Sequence, residues 1–148
     1  MTTALDVCVA EVMTDDVVWI DPEASLAEAV QRLLKHDISG LPVTDLEGNV
    51  VGMLSELDLL RYLRQPKRTQ SESAGAPVVR DYMTTPAITI DAGASIQDAI
   101  DVFLEESIRR LPVLRDGHLV GIVGRRDLMR LVITLEPADV QPAEVQPA

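Results

Sequence analysis

One Trp, one Phe, two Tyr and a single cysteine are few for a chain of 148 residues. With so few large rings, the core has to rest on Val, Ile, Leu, Met and Ala. The lone Cys8 excludes an intrachain disulfide and fits a reducing, cytoplasmic location. Cys8 falls on an apolar stripe with Leu5, Val9 and Val12, which points to packing. His36 and His118 have no cysteine or further histidine at ligand spacing, so no metal site is expected. The same scarcity leaves no credible Ser-His-Asp or Cys-His arrangement; no catalytic residues and no enzyme are expected. No apolar run approaches the length needed to span a bilayer, and the first residues lack the basic-then-apolar pattern of a signal peptide.

Positive charge is also short, and unevenly placed. The net charge is −11. Residues 1–64 carry four basic and twelve acidic side chains, whereas residues 65–135 carry nine of each. Such a field repels a nucleic-acid backbone, so nucleic acid is not an expected partner. The local exception is a group of arginines, Arg109, Arg110, Arg115, Arg125, Arg126 and Arg130. They are too few for a duplex track but enough to neutralise one or two phosphates.

What the chain does contain, it contains twice. Met13-Thr14, Asp21, Ser25, Ile38 and Leu41-Pro42-Val43 recur at an offset of 70 as Met83-Thr84, Asp91, Ser95, Ile108 and Leu111-Pro112-Val113. After one residue is lost in a turn the offset is 69, and Gly48, Val51-Gly52, Asp58-Leu59 and Arg61 match Gly117, Val120-Gly121, Asp127-Leu128 and Arg130. Two copies are too few for a solenoid; they imply two similar units about a pseudo-twofold axis, with function in the cleft between them. Each copy opens on a β-rich run, Val17 to Ile20 or Ala87 to Ile90. A capping pattern follows, Ser25 to Glu28 or Ser95 to Asp98, ahead of apolar residues at helical spacing. Strands are expected from Leu41 and Leu111, then from Val50 and Leu119, and last helices over 57–64 and 126–134. Short helices before each first strand are expected to tie the copies together.

The fold class is therefore α+β, with two strand–helix–strand–strand–helix units. Their expected extents are 5–64 and 78–134, with a flexible linker over 65–77 and a disordered tail over 135–148.

Taken together, the Met-Thr pair, the Ser-capped helix, Ile-x-x-Leu-Pro-Val and the later Asp-Leu resemble the cystathionine-β-synthase (CBS) domain. Two in tandem resemble a Bateman module, over roughly residues 5–134. The resemblance implies two clefts that take adenosine nucleotides. In the first, Asp58 and Ser55 would act with Thr84, Ile88, Ile108, Arg109 and Arg110. In the second, Asp127 would act with Thr14, Val18, Ile38, Ser39 and Gly40. The chemistry is consistent: a carboxylate at a helix start can accept two bonds from a vicinal diol, and an arginine fork suits phosphate. Ser55 becomes Gly124 in the second copy, and Arg109-Arg110 stand where the first copy has Ser39-Gly40, so both favourable features converge on the Asp58 cleft.

Plainer readings stand beside these. Asp58 and Asp127 also read as simple helix caps, and Arg109 and Arg110 as solvent-facing ends of a turn. Trp19 either lines an adenine slot or covers a partner surface. The expected role is a stand-alone regulatory module needing no cofactor. It would bind AMP, ADP, ATP or S-adenosylmethionine, form a homodimer and signal by conformational shift to an effector protein in trans. The alternative is a homodimeric scaffold that binds no nucleotide.

Overall fold

The computed structural model describes residues 4–64 and 75–135. The linker expected over 65–77 lies outside the described residues except for 75–77, and the tail over 135–148 except for Leu135.

In the first unit the Ser25 hydroxyl accepts a hydrogen bond from the Glu28 amide at 3.1 Å and starts helix α1, Leu26–His36. The helix turns its Leu26, Ala29 and Leu33 face inward and stops at Asp37, whose φ of 52° is left-handed. Strand β1, Gly40–Thr44, pairs antiparallel with β2, Val50–Ser55, and helix α2, Glu56–Arg64, follows at once. The second unit repeats this order. It comprises β3, Ile90–Asp91; α3, Ile96–Glu105; β4, Arg110–Arg115; β5, His118–Gly124; and α4, Arg125–Leu135. Ser95 and Asp98 close a full capping box at the start of α3. The α+β repeat thus stands as expected. Among the described residues no helix is long and apolar enough to cross a membrane.

The units are exchanged at their leading segments. The 3₁₀ turn Val9–Glu11 packs into the second unit's core, where fully buried Val9 joins Ile90, Ala99, Phe103 and Leu111. The turn Val79–Asp81 packs into the first, where Val79 and Tyr82 join Ile20, Leu26, Leu41 and Leu54. Main-chain bonds repeat the exchange at equivalent positions. The Val9 amide donates to Ala94 O at 2.7 Å, and Val79 to Ala24 O at 2.8 Å. The first amides of α1 and α3, otherwise without a helical partner, donate to Pro77 O and Val7 O at 3.0 Å each. The arm's Tyr82 also meets Tyr62 of α2 edge to face, with centroids 4.9 Å apart. The boundaries 5–64 and 78–134 follow chain order, whereas each packed core borrows its arm from the other copy.

The arms then join the sheets. Thr84 and Met53 exchange both main-chain bonds at 2.8 and 3.0 Å, and Thr14 and Ile122 do so at 2.8 Å each. These pairings explain how Pro42 and Pro112 are accommodated inside strands rather than at their first residues. Pro42 lies opposite Met53, and Pro112 opposite Ile122. Those partners direct their polar groups away, toward the arms, so neither proline is required to donate to its neighbour.

The expected first strands are shorter than the β-rich runs suggested. Within 17–20 only Ile20 pairs, in a single parallel bridge to Val43, and within 87–90 only Ile90 enters β3. The residues before them leave the sheets to line cavities between the units, which limits the ladder to its last position.

The arms approach closely only because β2 and β5 carry glycine there. A Cβ on Gly52 would sit 2.8 Å from Met83 Sδ and 3.0 Å from the main-chain oxygen of Thr84, whereas the three atoms nearest a Cβ on Gly121 all belong to the Met13 side chain. Gly52→Ala is expected to lower the unfolding free energy by about 1–3 kcal/mol, as overpacking does. Gly121→Ala should cost less, because a methionine side chain can yield and a main-chain carbonyl cannot. Urea denaturation measures both; negligible loss at Gly52 would show that the arm is not tightly seated there.

Candidate functional site

Two cavities open between the units, one beside each last helix. The first has a volume of about 390 Å³ and the second about 500 Å³. Both fall in the range of small-molecule sites. Ser55, Asp58, Thr84, Ile88, Ile108, Arg109 and Arg110 all border the first. Thr14, Val18, Ile38, Ser39, Gly40 and Asp127 all border the second. Each group named from sequence thus lies at one cavity, although Ser39, Gly40, Arg109 and Arg110 border both.

Asp58 organises the first cavity. It is only 5% exposed, and its carboxylate holds four donors. The Ser55 amide and hydroxyl donate to Oδ2 at 2.9 and 3.1 Å. Thr84 Oγ and Arg61 donate to Oδ1 at 2.9 and 3.1 Å. Ser55 Oγ in turn accepts from the Asp58 amide at 3.4 Å, so the capping pattern and the cleft carboxylate are one structure. Thr84 belongs to the exchanged arm, so this carboxylate is bonded by both copies.

The Asp127 site is simpler. The Gly124 amide donates to Oδ2 at 2.7 Å and Arg130 to Oδ1 at 3.2 Å. Gly124 has no hydroxyl to add, and Thr14 does not bond to Asp127. The side chain is 14% exposed, against 4% for Asp58.

Apolar walls face these polar ends. Met53, Leu57, Pro86, Ala87, Ile88 and Ile108 line the first cavity, and Val17, Val18, Ile38, Ile122 and Met129 the second. Arg109 and Arg110 border both cavities; Arg109 is exposed, as a turn end would be, and Arg110 is half-buried. Arg125 and Arg126 add charge to the second, and Asp16 and Glu56 lie at one cavity each. Arg61 was missed in the sequence reading, although its recurrence as Arg130, three residues after each Asp, was on view. Trp19 lines neither cavity; Arg32 stacks 5.9 Å from its ring centroid and donates to its carbonyl. That removes the adenine-slot reading of Trp19. His36, His118 and Cys8 also lie away from both cavities.

The CBS domain family matches the chain twice, over residues 9–65 and 79–134, and the chain belongs to that family. Its fold is similar to that of CBSX2 from Arabidopsis thaliana, solved in complex with AMP. The two share 31% identity and a TM-score of 0.77, over 87% of this chain and 98% of that one. It is also similar to the CBS domain pair of protein MJ0100, solved with 5′-methylthioadenosine and S-adenosyl-L-methionine. There the identity is 26% and the TM-score 0.74, over 85% and 95% of the two chains. Hypoxic response protein 1 of Mycobacterium tuberculosis is 33% identical over 88% of this chain and 85% of its own length. An uncharacterized protein of Methanocaldococcus jannaschii is 37% identical over 88% of this chain, which spans only 33% of that protein's length.

Proposed function

We propose that this chain is a regulatory module that binds an adenine nucleotide between its two CBS domains and reports occupancy to a partner protein. The Asp58 carboxylate carries this reading: it is buried, at a helix start, beside an apolar slot and within the same cavity as Arg109 and Arg110. Similar CBS pairs have been solved with AMP, 5′-methylthioadenosine or S-adenosylmethionine. The apolar wall by Ile88 and Ile108 suits an adenine ring, and Arg109 and Arg110 suit a phosphate. A ribose diol, with two donors, would replace both the Thr84 hydroxyl and Arg61 on Asp58, since a carboxylate offers about four acceptor positions and all are taken. Because Thr84 and Asp58 belong to different copies, that replacement favours a different inter-unit geometry, which an effector in trans would read in the cytoplasm. AMP, ADP, ATP and S-adenosylmethionine all carry the required adenine and ribose diol. The module needs no cofactor, performs no catalysis, and the linker and tail join and follow its two folded units.

A second reading rests on exposed apolar surface. Leu57, Leu60 and Leu63 of α2 and Met129, Val132 and Ile133 of α4 are all 58–70% exposed, and Leu34 and Leu104 end α1 and α3 at 77% and 81%. These faces suit a homodimer, which accompanies the nucleotide reading and would by itself constitute a scaffold. Light scattering at tens of micromolar should give twice the chain mass; a monomer mass would remove the dimer.

Calorimetric titration with AMP and adenosine tests the nucleotide reading. Asp58→Ala should weaken AMP about tenfold to a hundredfold, a deficit of ~1.4–2.8 kcal/mol. Asp127→Ala should cost less. Replacing Arg109 and Arg110 together by Ala should weaken AMP much more than adenosine, which has no phosphate. No heat from AMP, ADP, ATP or S-adenosylmethionine in the wild-type chain would leave the scaffold.

A further inference from the structure

The two cavities share a wall. Ser39, Gly40, Arg109 and Arg110 border both, and the first pair corresponds to the second at the repeat offset of 70. The pseudo-twofold axis therefore passes between them. Arg110 Nε donates to Ser39 Oγ across it at 3.4 Å. The main chain keeps the symmetry, because Ser39 O accepts from the Glu56 amide at 3.0 Å and Arg109 O from the Arg125 amide at 3.2 Å. The charge does not: both cations of the wall come from the second copy.

We propose that Arg109 and Arg110 are common property of the two clefts, so that an anionic ligand in one weakens an anionic ligand in the other. The inference rests on the nucleotide reading above. Other cations nearby only partly relieve the competition. Arg61, which borders the first cleft alone, is already bonded to Asp58 at 3.1 Å. Arg125, which borders the second alone, donates through Nε to Ile108 O at 2.8 Å, leaving Arg126 as that cleft's further cation. Two phosphates would thus share one arginine pair in a chain whose net charge is −11. A neutral nucleoside makes no such demand. The coupling is reciprocal, as linkage requires, and falls in the ordinary range for communicating sites, about fivefold or more.

Methyl NMR of isoleucine-labelled full chain separates the clefts, since Ile88 borders only the first and Ile122 only the second. Each methyl is followed while AMP, or adenosine, is added. The second cleft is disabled by Asp127→Ala or, independently, by Gly124→Leu; the first by Asp58→Ala or Ala87→Trp. Whichever methyl saturates later with AMP in the wild-type chain should do so at about fivefold lower AMP, or less, once the other cleft is disabled. With adenosine its midpoint should change by less than about twofold. Filling of one cleft by AMP and of both by adenosine also supports the proposal. An unchanged AMP midpoint, an equal change with adenosine, or one cleft ignoring both ligands overturns the shared wall while leaving nucleotide binding intact. If neither methyl responds to either ligand, the nucleotide reading itself fails and the coupling with it.

Discussion

The structure depends on a reciprocal loan of backbone. Thr84 pairs with Met53 and Thr14 with Ile122, and each pairing extends one copy's sheet with the other copy's leading segment. Neither core is complete without it, since Val79 and Tyr82 fill the first and Val9 the second. The exchange also accommodates two prolines inside strands and needs glycine at positions 52 and 121. Most consequentially, it carries Thr84 to within 2.9 Å of the buried Asp58 carboxylate. The site is a product of the exchange, because no single copy contains both groups.

That origin gives the carboxylate two roles at once. Asp58 closes the start of α2 through Ser55, pairs with Arg61 on the same helix, and closes the interface through Thr84 alone. A ligand that took over its Oδ1 bonds would act on the contact between copies without disturbing the cap on Oδ2. Local chemistry would then become a change in relative position, which is the form a regulatory signal must take if the ligand is to distinguish two states. At the Asp127 site both bonds, from Gly124 and Arg130, come from the same copy, so that carboxylate does not join the two.

Much of this was legible in the sequence because a repeat constrains both local and long-range structure. Ser25 and Ser95 announced their helices, and the constant offset placed Asp58 and Asp127 at equivalent helix starts. The arm exchange was only half visible: short helices ahead of each first strand were expected to tie the copies together, but nothing in 3.6- or 2-residue periodicity says which copy a segment packs against. The runs over 17–20 and 87–90 looked like whole strands because β-branched residues also suit a cavity wall. Val18 and Ile88 serve the cavities, and only Ile20 and Ile90 reach the sheets. Arg61 was overlooked because an arginine three residues after an aspartate reads as an ordinary helix pair. Its significance comes from Thr84, which lies 26 residues beyond Asp58.

A crystal structure of the chain grown with AMP tests the central claim most directly. The account predicts the ribose 2′ and 3′ hydroxyls on the Asp58 carboxylate at ordinary hydrogen-bond distance, about 2.5–3.0 Å, with Thr84 and Arg61 both displaced from Oδ1. The adenine should lie against Ile88 and Ile108, with the phosphate toward Arg109 and Arg110. AMP bound outside both clefts, or Asp58 still closed by both Thr84 and Arg61 with the ribose turned away, would contradict it.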